Sequence, residues 1–104
     1  MKIMNVDKVK FVARILWLTP ELGGRKNDIP LNSEMYAPQI RFDGLVGSWS
    51  LVVNSYNKVT EYETLADIRY LNEADAPNNL VIGLEFSLYE GSKKVADGKI
   101  IEAQ

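Results

Sequence analysis

The sequence predicts an all-β domain, either a barrel or a sandwich. Several stretches rich in β-branched and aromatic residues alternate apolar with polar side chains, as half-buried strands do. Turn-forming residues such as Asp43-Gly44 and Gly91-Ser92 separate these stretches, and no stretch has a convincing amphipathic helical period. Six or so strands divided by turns are typical of those two architectures.

The composition indicates one globular domain over residues 1–104, with 46% hydrophobic and 25% charged residues. We expect residues 1–7 to be a flexible or edge segment before the first strand. The chain has no cysteine and no histidine, which excludes disulfides, thiol chemistry and the usual zinc, copper and haem ligands. We therefore expect no cofactor and no metal.

The charge balance gives no general attraction to nucleic acid or acidic membranes, because 12 basic residues face 14 acidic ones. The first residues lack the apolar core of a secretory signal, and no run approaches the roughly 18 apolar residues of a membrane span. The sequence thus predicts a cytoplasmic protein that does not contact a membrane.

The first strand is predicted over Lys8–Leu18. Val9, Val12 and Leu16 also fit a helical face, but Val, Phe, Ile and Trp are strand formers and the stretch stops at Thr19-Pro20. The residues that follow, 20–34, contain two prolines and two glycines and are predicted to be an unusually long loop, of the kind that often carries function.

The rest of the chain predicts five further strands and a sixth, weaker candidate. A turn over 54–57 is expected after the strand that begins at Val46, and a loop over 72–79 after the strand that begins at Leu65. A tight turn at Glu90-Gly91-Ser92 is expected to join the last two strands into a hairpin. In chain order these strands are Gln39–Phe42, Val46–Asn54, the weaker candidate Lys58–Glu63, Leu65–Leu71, Leu80–Tyr89 and Lys93–Glu102.

The residue types disfavour catalysis. No histidine is present to act as a general base at neutral pH, and Ser48 lacks the flanking glycines of a nucleophile elbow. The acidic stretch at 72–75 lacks the spacing of a calcium loop. We therefore expect a protein that is not an enzyme.

Two pairs of cations suggest a binding surface. Arg25-Lys26 follow Gly23-Gly24, where the backbone can approach a ligand and a guanidinium can grip a carboxylate or phosphate. Lys93-Lys94 form a second pair. If the fold brings the pairs together, Tyr36 and Tyr89 would flank a patch suited to an RNA backbone or an acidic protein face. Alternatively, both pairs lie in turns exposed to solvent and bind nothing, as is usual for short runs of charged residues.

Three motifs, in order, resemble the carboxy-terminal β-barrel of elongation factor Tu. They are Leu-Thr-Pro-Glu-Leu-Gly-Gly-Arg at 18–25, Tyr-Ala-Pro-Gln-Ile-Arg-Phe at 36–42 and Tyr-Glu-Gly-Ser-Lys-Lys-Val-Ala-Asp-Gly-Lys-Ile at 89–100. The similarity runs from about residue 8 to residue 101. It implies a six-stranded antiparallel barrel with that family's topology.

The resemblance also implies binding residues, since Arg25, Gln39, Glu90 and Gly91 match family positions that contact the tRNA backbone. This chain departs from the family at four positions: Lys26 replaces a histidine, Ala37 an arginine, and Ser92-Lys93 a Gly-Arg pair. The family's GTPase and middle barrel have no counterpart in the 104 residues. GTP hydrolysis and delivery of tRNA to the ribosome are therefore not expected.

Two functions remain as hypotheses. The first is a non-enzymatic module that binds a protein partner, either a translation-related factor or, in an immunity role, a toxin. The second is binding of RNA, or of the tRNA backbone, through the Gly-Gly-Arg loop and the last hairpin. The oligomeric state is left open. The predicted binding residues are Gly23, Gly24, Arg25, Lys26, Tyr36, Gln39, Glu90, Gly91, Lys93 and Lys94.

Overall fold

Six antiparallel strands form a closed ring in the computed structural model, which describes residues 9–104. The predicted segment 1–7 lies outside the described residues. Around the ring the order is β1-β4-β3-β2-β5-β6, with β1 paired to β4 on one side and to β6 on the other. The strands are β1 (Phe11–Trp17), β2 (Gln39–Phe42), β3 (Leu45–Thr60), β4 (Glu63–Tyr70), β5 (Glu85–Glu90) and β6 (Lys93–Ala103).

The all-β prediction is confirmed, and several strands lie where the sequence placed them. β2 has the predicted bounds, and β1 is the core of the predicted Lys8–Leu18 strand. The predicted carboxy-terminal hairpin is present as β5 and β6, joined at Gly91-Ser92. Among the described residues, no helix is long and apolar enough to cross a membrane.

The predicted turn over 54–57 is wrong, because the chain continues through it as the sixteen-residue strand β3. Ser55 is fully buried and its hydroxyl lies 2.9 Å from that of Thr64 on β4, so this polar residue stabilises the sheet instead of ending it. Register shifts on either side of Asn57 bend the strand. The real turn is Glu61-Tyr62, so the separate strand predicted over Lys58–Glu63 does not exist.

The first half of the predicted strand Leu80–Tyr89 is also wrong, since β5 begins at Glu85. The backbone N–H of Leu84 donates to the carbonyl of Val81 at 3.1 Å, which closes a turn at residues 81–84. Leu80 and Leu84 nevertheless pack against the core, while Ile82 at the tip of the turn is 62% exposed. The alternating apolar residues thus belong to a loop that lies against the core.

The core fills the inside of the ring. Its polar members are satisfied in pairs: the indole N–H of Trp17 donates to Thr64 at 3.0 Å, and Thr64 shares a hydrogen bond with Ser55. The buried apolar cluster comprises Ala13, Ile15, Trp17, Ile40, Leu51, Val53, Ala66, Ile68, Tyr70, Phe86, Leu88, Val95, Ala96 and Ile100.

Gly98 on β6 makes room for an aromatic ring. It lies opposite Phe86 in the β5–β6 register, and a Cβ atom at this position would fall 2.3 Å from two atoms of that ring. Phe86 is 4% exposed and is held in place by the core. The buried ring therefore requires glycine across the strand pair.

We expect Gly98→Ala to lower the free energy of unfolding by about 1–3 kcal/mol, because the new methyl group overpacks the buried ring. The same substitution in a Phe86→Leu background should cost less, since the clashing atoms are gone. Urea denaturation of the four proteins in this double-mutant cycle measures both values. Equal costs in the two backgrounds would contradict the packing argument.

Candidate functional site

The candidate site lies at the end of the ring where the chain passes from β1 to β2. Residues 18–38 cross this end, and the turn between β5 and β6 meets them there through a contact of Arg25 with Glu90. The fold therefore brings together the Gly-Gly-Arg loop and the last hairpin, as the sequence hypothesis required.

The two glycines of the loop shape its backbone. Pro20–Leu22 form a short 3₁₀ turn, which Gly23 ends in the left-handed region at φ 87°, with its N–H donating to the carbonyl of Pro20 at 3.0 Å. Gly24 is buried against Leu18, where a Cβ would lie 2.0 Å from the carbonyl oxygen. Gly24 thus permits a close approach within the protein.

Arg25, Tyr36 and Glu90 form one polar cluster. The Arg25 guanidinium makes a salt bridge with Glu90, and the Tyr36 hydroxyl donates to the same carboxylate oxygen at 2.5 Å. The guanidinium carbon also lies 5.2 Å from the centre of the Tyr36 ring. Because the Arg25 side chain is only 16% exposed, its charge is largely neutralised within the molecule.

Tyr36 is fixed from its backbone to its hydroxyl. Its carbonyl accepts from the N–H of Val53 on β3 at 3.0 Å, and its ring centre lies 5.9 Å from that of Trp17. Burial, followed by the hydrogen bond to the Glu90 carboxylate, raises the pKa of the Tyr36 phenol well above its usual value. Tyr36 is therefore a neutral hydrogen-bond donor at physiological pH.

Gln39 and Lys94 lie beside this cluster and have partners of their own. Gln39 accepts a hydrogen bond from the Ser48 hydroxyl at 2.6 Å. Lys94 makes a salt bridge of 2.8 Å with Asp97, and the hydrogen bond to this carboxylate raises the pKa of Lys94. Tyr89 pairs with both residues across the sheet, but its ring stacks under Arg41, at 4.0 Å.

The remaining predicted residues are exposed. Gly91 occupies the hairpin turn with a φ of 64°, and Lys93 lies opposite Glu90 in the register. Within residues 9–104, neither Lys26 nor Lys93 has a salt bridge. Of the four predicted cations, two are therefore engaged by carboxylates and two face the solvent.

Sequence reasoning missed the exposed apolar residues of the crossing segment. Met35 is 90% exposed next to Tyr36, and Leu22 is 71% exposed beside the two glycines. Leu31 is 43% exposed between them. The available signal was the presence of large apolar residues in a loop otherwise rich in polar residues and proline.

The described residues contain no group of three or more acidic side chains that could hold a metal ion.

The chain matches no protein-family model. A search of curated proteins likewise finds no match.

We expect Gly24→Ala to destabilise the protein by about 2 kcal/mol or more, because backbone atoms of Leu18 occupy the space of the new methyl group. Lys26→Ala, two positions away and exposed, is the matched control and should change stability by less than about 0.5 kcal/mol. Thermal and urea unfolding measure both changes. A tolerated Gly24→Ala would contradict the tight approach to Leu18.

We expect Tyr36→Phe to cost about 1–2 kcal/mol at pH 7, because the Glu90 carboxylate loses a donor. The raised pKa means that the folded protein keeps the phenol proton when the unfolded chain loses it, so this contribution is complete below pH 10. It declines as the pH rises above 10. Urea unfolding at pH 8 and pH 11 should therefore show a smaller loss of stability in Tyr36→Phe than in the wild type. Equal losses would contradict this role of Tyr36.

Proposed function

We propose that this chain is a non-enzymatic binding module that recognises another protein through the end of the ring formed by residues 18–38 and the β5–β6 turn. The module has the fold of the elongation factor Tu carboxy-terminal barrel. The observation that supports a protein partner most directly is the internal neutralisation of Arg25 beside strongly exposed apolar side chains.

The chemistry of this surface suits a protein better than a phosphate backbone. An RNA-binding surface derives most of its affinity from cations that contact phosphates. Here Arg25 already forms a salt bridge with Glu90, whose carboxylate also accepts a hydrogen bond from Tyr36. Lys94 likewise forms a salt bridge with Asp97. The exposed side chains of Leu22 and Met35 offer apolar area that a protein partner can bury.

The same contacts disfavour catalysis by Glu90. A general base must be free to accept a proton from a substrate. The Glu90 carboxylate already accepts from Arg25 and Tyr36. We therefore propose that the cluster holds the crossing segment against the hairpin, so that the exposed residues of the segment present a fixed surface.

RNA binding is the second candidate, and the two exposed cations Lys26 and Lys93 favour it. Both lie at the same end of the ring as the cluster, since Lys26 follows Arg25 and Lys93 faces Glu90. Contacts with a tRNA backbone through Gln39 and Gly91 would extend such a surface. Two cations predict weak and strongly salt-dependent binding.

Site-specific photocrosslinking in lysate tests the protein-binding proposal. A photoreactive residue at Met35 should capture a defined, stoichiometric protein partner. The same residue at Val46, which is 96% exposed on β3, serves as the control and should not. Leu22→Ser should then lower recovery of that partner without changing the fold. Capture that is equal at Met35 and Val46, or no stoichiometric partner at all, would overturn the proposal.

Titration with tRNA at two salt concentrations tests the second candidate. If RNA binds, its affinity should fall steeply with salt, and the double variant Lys26→Gln, Lys93→Gln should abolish binding. Val59→Ser, a change at another exposed site, should have no effect. Absence of binding at low salt would exclude this candidate.

A further inference from the structure

The end of the ring opposite the candidate site, here called the lower end, is closed by a second crossing segment. β4 and β5 are not neighbours in the ring, so residues 71–84 must cross this end to join them. Two hydrogen bonds of 2.8 Å fix the segment to the ring. The Tyr70 hydroxyl donates to the Asn79 side chain, and the N–H of Gly83 donates to the carbonyl of Ile100.

A small pocket opens at the lower end, between this segment and the start of β1. Its volume is about 120 Å³. Small-molecule sites usually exceed about 300 Å³, whereas a cavity of about 150 Å³ holds one benzene-sized group. The pocket therefore has room for one apolar side chain. Its apolar and aromatic lining comprises Val9, Phe11, Ile68, Tyr70, Ala76 and Leu80.

An exposed isoleucine lies beside the pocket. Ile82 follows the lining residue Leu80 by two positions and is 62% exposed. It occupies the second position of a type II turn, in which the N–H of Leu84 donates to the carbonyl of Val81 at 3.1 Å. Gly83 supplies the positive φ that the third position requires, 93°. The turn therefore presents the Ile82 side chain to the solvent from a defined backbone conformation.

Two further apolar side chains extend this surface. Val9 at the pocket is 54% exposed, and Val81 in the turn is 59% exposed. Together with Ile82 they form an apolar patch of a few hundred Å², a size that often marks an interaction site. A stable interface buries about 800 Å² on each partner. The patch therefore suits a weak association that depends on concentration.

Charges of both signs lie around the pocket. Arg69 lines it, is exposed, and forms no salt bridge within residues 9–104. Asp75 is exposed in the short 3₁₀ turn Glu73–Asp75, whose first residue also lines the pocket. A surface with both signs can pair with a second copy of itself, because a two-fold axis brings each cation towards the other copy's carboxylate.

We propose that the lower end is a self-association surface, in which Ile82 of each copy enters the pocket of the other about a two-fold axis. Such an interface requires a patch that complements itself. Here the exposed side chain and the pocket lie side by side on one chain and match in size, so one axis fills both pockets. A different protein would have to supply an apolar side chain and a pocket of its own. This surface is separate from the proposed binding site for another protein and does not depend on it.

Sedimentation velocity of the full chain measures the association. We expect mostly monomer at about 10 μM and a large dimer fraction at about 1 mM, as a dissociation constant of about 100 μM requires. Over this range the ¹⁵N-labelled protein should show amide shifts at Ala76, Ile82 and Gly83, and none in residues 18–38. In an equal mixture of ¹³C-labelled and unlabelled protein, isotope-filtered NOEs should link the Ile82 methyl groups to the methyl group of Ala76 and the ring of Phe11.

Two variants test the two halves of the contact. Ile82→Ser removes the inserted side chain, and Ala76→Leu fills the pocket from within its own chain. Each should weaken association at least about tenfold. Leu22→Ser, a matched change of an exposed apolar residue at the opposite end, is the control and should leave the association unchanged. Amide spectra of the three variants at low concentration should show intact folds.

Three results would refute self-association through the lower end. The first is a protein that stays monomeric at about 1 mM. The second is association that neither Ile82→Ser nor Ala76→Leu weakens. The third is weaker association in Leu22→Ser, or shifts confined to residues 18–38, which would place the contact between copies at the candidate site instead.

Discussion

Closure of the ring is the constraint on which the other features depend. β1 forms hydrogen-bonded pairs on both sides, with β4 and with β6, and the short strand β2 completes the circle between β3 and β5. Because β1 and β2 are separated by β4 and β3 in the ring, the chain between them must cross one end. The crossing segment is the one that carries Arg25 and Tyr36.

The crossing segment is held by contacts with several parts of the ring. Pro38 accepts from the N–H of Leu51, Tyr36 from that of Val53, and the N–H of Asn32 donates to Ser55, so the segment follows β3. The salt bridge between Arg25 and Glu90 then joins it to the opposite hairpin. The Arg25 guanidinium, which could have bound an external anion, instead pairs with Glu90 and fixes the shape of the surrounding surface.

The sequence predicted those parts of the fold in which local pattern and tertiary packing agree. Alternating β-branched and aromatic residues, ended by Thr19-Pro20 or Asp43-Gly44, located β1 and β2. Prediction failed where a distant partner decides the structure. Ser55 reads as a turn residue, yet Thr64 across the sheet satisfies its hydroxyl, and the apolar residues 80–84 follow a strand pattern although they belong to a loop against the core.

The candidate site, too, could be predicted from the sequence only in part, because distant residues complete it. The sequence indicated that the two cation pairs could meet, and the structure places the loop against the hairpin. The sequence could not show that Glu90 would neutralise Arg25, because the two residues are 65 positions apart along the chain. Nor could the sequence show that the Arg41 guanidinium would stack on the Tyr89 ring, because only the pairing of β2 with β5 brings these residues together.

The pairing of β1 with β6 also has a consequence for the rate of folding. Phe11 pairs with Ala103, and the N–H groups of Lys10 and Gln104 each donate to the other's carbonyl, at 2.8 and 2.7 Å. These contacts join nearly the most distant parts of the described chain, so their formation carries a large loop-closure entropy. The β5–β6 hairpin can form early from local contacts, whereas the seam between β1 and β6 closes only when the rest of the sheet has aligned its edges. We therefore expect the contacts that form last to lie at the ends of the described chain, opposite the end of the ring that carries Arg25, Tyr36 and Glu90.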